Sequence, residues 1–137
     1  MKHSISFLLC TFFALFAGAP ANAQSLKPNG VGWSQISYTR KLGYVEGFQA
    51  GSGQLFLTQR EGCSIPIWCV QKRLWKGTLA EVDVEVVVQT VDRLYSDPRN
   101  TPITWGDAVI VSGAMASGVV VTEQDLQIVR TFDADLH

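Results

Sequence analysis

The sequence predicts a small all-α domain, a bundle of about four helices with a disulfide-containing insertion after the first. Three observations lead there. Apolar residues recur at helical spacing in four separate stretches, and turn or capping residues join those stretches. The one long segment without a sustained period, residues 52–77, holds both cysteines that lie beyond the N-terminal leader.

That leader is expected to be removed. Lys2 makes a positive start, an apolar run covers residues 5–17, and Ala21-Asn22-Ala23 is a small-residue cleavage site. The pattern predicts a signal peptide over 1–23 and a single exported domain over 24–137, periplasmic or secreted. The apolar run is short for a retained anchor, and no later stretch reaches membrane-spanning length, so no membrane span is expected after cleavage. Eleven basic and twelve acidic residues leave a formal charge of −1, and loss of Lys2 makes it one unit more negative. Nucleic-acid binders normally carry a basic excess, so no nucleic-acid partner is expected.

The first helix is predicted over 33–49, with Trp33, Ile36, Tyr44 and Phe48 near one stripe and Leu42 and Val45 beside it. Gly43, Gly47 and Gly51 recur every four residues within or just beyond it. Each interior glycine costs a helix roughly 1 kcal/mol relative to alanine, so a compensating role is expected. Stacked on one side, they predict a groove for helix packing, with the helix over 105–117 and its Ala108, Ser112, Gly113 and Ala116 as the partner. A homodimer face is the alternative, and Gly51 with Gly53 can also end the helix.

Residues 52–77 read as a partly ordered insertion, and long loops inside small domains usually have a job. Cys63 and Cys69 are close together, and in an oxidising compartment they predict a disulfide, with free thiols or a metal as the alternatives. Two cysteines without histidine partners make a poor zinc site, so no metal is expected.

In the stretch EVDVEVVV, alternation argues for a strand. Yet Val84, Val87, Val88, Val91, Leu94 and Tyr95 fall on one helical stripe, and Thr78 with Glu81 matches a capping box, so a helix is predicted. Pro98 and Pro102 break the chain. Thr104 and Asp107 then suit the start of a helix over 105–117, apolar nearly all round and hence central, with Gly118 at its end. Thr122 with Asp125 caps the last helix, whose apolar face is Leu126, Val129 and Phe132.

Chemistry is sparse. The only histidine outside the leader is the terminal His137, which excludes the usual serine–histidine and cysteine–histidine nucleophiles. The glycine spacing fits no phosphate-binding loop, and no cofactor is expected. Glu46, Asp92, Asp97 and Asp107 are the candidates for a carboxylate pair, but a helix flank, turns and caps explain them as well. Trp33 and Trp105, at helix starts, suit the core. Trp68 and Trp75 lie in the insertion among Arg60, Lys72, Arg73 and Lys76, the composition of a protein-binding hot spot. Partner binding by Arg60, Trp68, Lys72 and Trp75 stands here beside the plainer reading that both rings pack the insertion onto the helices.

Two segments together, KLGYVEGFQAG and VDRLYSDPRNTPITWGDAVIVSGAMASG, resemble small exported bacterial helical proteins of largely unknown function. These share a K-x-x-Y-x-x-G-x-x-x-G helix and a Y-x-D-P-x-N-x-x-I turn, here Lys41, Tyr44, Gly47 and Gly51, then Tyr95, Asp97, Pro98, Asn100 and Ile103. The layout is similar to the Rap/Tai group, periplasmic immunity proteins that block amidase effectors of type VI secretion. Leu42 stands where that group is expected to carry a disulfide cysteine. The resemblance implies a non-enzymatic protein-binding protein, an immunity-type inhibitor of an exported cell-wall hydrolase or toxin. A carboxylate-based glycan-acting enzyme and a small apolar-ligand carrier are the other readings.

Overall fold

Capping residues divide the chain into its elements. The computed structural model describes residues 26–57, 65–75 and 81–135, and among them every regular element is helical. The helices are α1 (Gly30–Gln35), α2 (Tyr38–Leu57), α3 (Pro66–Trp75), α4 (Val84–Tyr95), α5 (Trp105–Ala116) and α6 (Glu123–Ala134), with a 3-10 turn at Pro98–Asn100. The all-α expectation holds, with six α-helices described where about four were expected. The leader, Arg60, Cys63 and Thr78 lie outside the described residues, and no disulfide occurs among those described; Cys69 is half-buried on α3.

The helix expected over 33–49 is in fact two. Ile36 turns extended, with φ −91° and ψ 149°, and ends α1. The Ser37 hydroxyl then accepts from the Arg40 N–H at 3.4 Å, the behaviour of a cap rather than of a mid-helix serine. Asn29 caps α1, accepting from Val31 N–H at 3.1 Å. The strand of chain before α1 is stitched to the start of α5: Trp105 N–H donates to the Pro28 carbonyl at 2.9 Å, and its indole N–H to the Asn29 carbonyl at 2.7 Å. Gly32 sits at this seam, where a Cβ would overlap the Lys27 carbonyl oxygen, so the approach requires glycine.

The segment expected to be an aperiodic insertion contains the end of α2 and all of α3. Pro66 at the first position suits a helix start, and Ile67, Val70 and Leu74 form a buried stripe. The valine-rich stretch is helix α4, as its stripe predicted. It begins later than expected, however, because the Asp83 carboxylate caps it, accepting from Glu85 N–H at 2.7 Å. Asn100 is buried in the turn after α4, where its amide donates to the Leu94 carbonyl at 2.7 Å. It thereby satisfies a carbonyl at the end of α4.

Helix α5 is central, buried continuously from Asp107 to Ala114 and flanked by α3 and α4. Thr104 caps it, and Gly118, at φ 83°, ends it with Val119 N–H donating to the Ala114 carbonyl at 2.9 Å. α2 packs on α4, and α6 packs on α3, with Thr122 and Asp125 forming the expected capping box.

The groove expected between these glycines and α5 is not formed among the described residues, and the homodimer alternative is left open. Gly43, Gly47 and Gly51 are exposed, and a Cβ added at any of them meets no atom of the described residues within 4 Å. α2 turns its other side inward, with Val45 buried and Tyr44 and Phe48 packed on the core. The close contact with α5 uses a different glycine: a Cβ on Gly106 would come within 3.3 Å of the Phe48 ring.

Candidate functional site

The stripe that docks α3 fixes what it shows to solvent. With Ile67, Val70 and Leu74 inward, Trp68 and Lys72 point outward, and Trp68 is 48% exposed. Beside them Ile65, Pro66 and Ile67 meet Ile128 and Phe132 of α6 in an apolar groove of about 340 Å3, edged by Gln127, Thr131 and Asp135.

The other expected contact residues fall elsewhere. Trp75 is half-buried and packs edge-on against Phe48, ring centroids 5.8 Å apart, so it is a packing residue rather than an outward anchor. Arg73 is paired with Asp125 on α6 and donates to the Val120 carbonyl at 3.1 Å. Its charge is thereby committed within the fold. Burial works against the Asp125 carboxylate, but hydrogen bonds from Arg73 and Thr122 hold it below the usual range. Of the four residues expected to bind a partner, Trp68 and Lys72 therefore share one exposed face, Trp75 does not, and Arg60 lies outside the described residues. Ile65 and Ile128 were missed as groove residues. Their signal was an isoleucine just outside each apolar stripe.

The carboxylate candidates are scattered. Glu46 is exposed on α2. Asp92 accepts from the Trp33 indole and from Lys41, both at 2.7 Å. Asp97 caps the 3-10 turn and binds Arg99, whose hydrogen bonds lower its carboxyl to about 2. Asp107 alone meets another acid, Asp133 in the last turn of α6, a residue the sequence reading passed over. Asp133 lies one helical turn beyond Val129, on the inward side of α6, and that spacing was the available signal.

The two buried acids complete a cap across helices. Thr104 takes the Asp107 N–H at 3.4 Å, but its own N–H goes to Asp133 Oδ2 at 2.7 Å, not to Asp107. Asp107 Oδ1 instead accepts from the Gln71 amide of α3 at 2.6 Å. Burial pushes both carboxyls up, Asp133 to about 7, although the Gln71 bond opposes the shift at Asp107 and the Thr104 N–H opposes it at Asp133. Asp133 is 0% exposed, and neither acid lines the α3–α6 groove.

A second surface depression lies along α4 and the end of α5, lined by Val86, Thr90, Arg93, Met115 and Leu126 among others. No group of three histidine, cysteine or acidic side chains that could hold a metal occurs among the described residues. No described helix is long and apolar enough to cross a membrane. Comparison with protein-family models, curated proteins and solved structures found no match.

Proposed function

We propose that this is a non-enzymatic exported protein that acts by binding another protein, an immunity-type inhibitor of a cell-wall hydrolase, through the outward face of α3. The observation that carries the reading is Trp68, nearly half exposed beside an apolar groove and one turn from the exposed Lys72. A large aromatic ring held outward on a docked helix is the kind of anchor that concentrates binding energy in protein interfaces. Lys72 adds a cation that favours an acidic partner surface and makes association sensitive to salt. The burial of Asp107 and Asp133, away from the groove, favours binding over carboxylate catalysis. The leader pattern supports export.

The test is recovery from envelope extract at low salt on immobilised protein, with Trp68→Ala in parallel. A specific partner captured by the native chain, weakened by salt and lost with Trp68→Ala, is the expected result. No specific partner, or equal capture by the variant, would sink the reading. The groove also favours a second reading, a carrier of small apolar ligands. Saturable binding of a fatty acid, abolished by Ile128→Lys, is the outcome that reading requires.

A further inference from the structure

We propose that Asp107 and Asp133 form a one-proton clamp: a shared proton fastens α6, and α3 through Gln71, to the first turn of α5, and its loss loosens that joint. The geometry carries the inference. Both acids are buried and converge on Thr104, which takes the Asp107 N–H on its hydroxyl and gives its own N–H to Asp133, so that the two carboxyls face each other. Their outward-facing partners are already assigned: Asp133 Oδ2 to the Thr104 N–H, Asp107 Oδ1 to the Gln71 amide. Asp133 Oδ1 remains buried without a donor. A proton on Asp133, donated to Asp107, satisfies the pair and removes one of two like charges from the interior.

Among the described residues, the surroundings do not supply a cation in its place. The groups that face the pair are neutral: Tyr95 from α4 and Tyr44 from α2, both held in the protonated form by burial and by the acids, and Gln71 from α3. Arg130, on α6 itself, is turned to Asn100 and Glu123, at 2.7 and 2.6 Å. No lysine or arginine among the described residues acts on either carboxyl.

The sign follows from linkage. The pair's upper titration is raised above its value in the unfolded chain. Its contribution is therefore fully present below the unfolded value near 3.8 and is lost as pH rises through about 7. The clamp does not depend on the partner-binding reading.

Two measurements test it. In the native protein, carboxyl-carbon NMR should place the Asp133 titration within about a unit of pH 7, and a midpoint near 4 would overturn the proposal. In urea unfolding followed by tryptophan fluorescence, the unfolding constant should rise up to about tenfold per pH unit between pH 5 and 7, then level. Asp133→Asn keeps the shape and both hydrogen bonds without a proton to lose, so its unfolding constant should vary less than about twofold across that window. A variant with the native slope would also overturn the proposal. Should Asp133→Asn not fold, the carboxyl titration of the native protein decides alone.

Discussion

The outward face of α3 and the joint between α5 and α6 put polar side chains to opposite ends. On α3, an aromatic and a cation, Trp68 and Lys72, stand in solvent with an apolar groove beside them. At the joint, two buried acids bind a threonine N–H and a glutamine amide. Stability is concentrated where polar groups have no alternative to one another, and recognition where they keep their access to water. Gln71 and Lys72 are neighbours on α3, one bonded to Asp107 and the other in solvent, so the side of the helix separates the two regions.

The contrast can be broken hardest at the buried end. Asn100 links the Leu94 carbonyl to Arg130 Nε at 2.7 Å each, and Arg130 Nη2 already lacks a partner. Asn100→Leu would leave a buried carbonyl and more of a buried guanidinium unpaired, a loss of about 3 kcal/mol. In a domain of this size the melting temperature should fall by more than 10 °C, on the order of 4 °C or more per kcal/mol. A fall under about 4 °C would show that water replaces the asparagine cheaply.

Trp75 tests the boundary between the regions, since it shares α3 with Trp68 but packs on Phe48. Trp75→Ala should cost about 2 kcal/mol in urea denaturation, less than a fully buried tryptophan because it is only partly buried. The reverse sign is expected on α2. A Cβ at Gly47 meets no atom of the described residues, so Gly47→Ala should stabilise the protein by about 0.5–1 kcal/mol through helix propensity. Destabilisation there would restore the packing role that the spacing suggested, and concentration-dependent melting would point to a second copy on that face.

How much of this was legible in the sequence depends on whether a signal was local. The caps of α5 and α6, Thr104 and Thr122, and the valine stripe of α4 are set by neighbours within a few residues, and they fold as read. Ser37 was missed because a serine inside an apolar periodicity looks like a solvated position until its hydroxyl is seen capping Arg40. The stripe of α3 was present as Ile67, Val70 and Leu74, but cysteines and tryptophans between them hid the period. The glycines misled because spacing gives a face without saying which way it points. α2 was oriented by the larger burial of Tyr44, Val45 and Phe48. The Asp107–Asp133 meeting joins positions on different helices, and only the packing of α6 brings them together.

Of the two tryptophans on α3, the smaller stability effect is expected where the functional effect is larger. Trp68 has Ile67 beside it to hold α3 in place, and at 48% exposed it is less buried than Trp75, so truncation removes less buried surface. Trp68→Ala should shift unfolding by about 1 kcal/mol, well below the loss at Trp75. If the α3 face is the binding surface, the same change should weaken partner capture by at least tenfold, about 1.4 kcal/mol or more. Calorimetry on the captured partner separates the outcomes, because a stable variant with unaltered affinity would move the binding surface off α3. A variant as destabilised as Trp75→Ala would instead mean that Trp68 belongs with Trp75, as a ring that packs rather than one that waits for a partner. Read together, the two tryptophans make the comparison internal to one helix, with the same side chain type and opposite expected balances of stability and affinity.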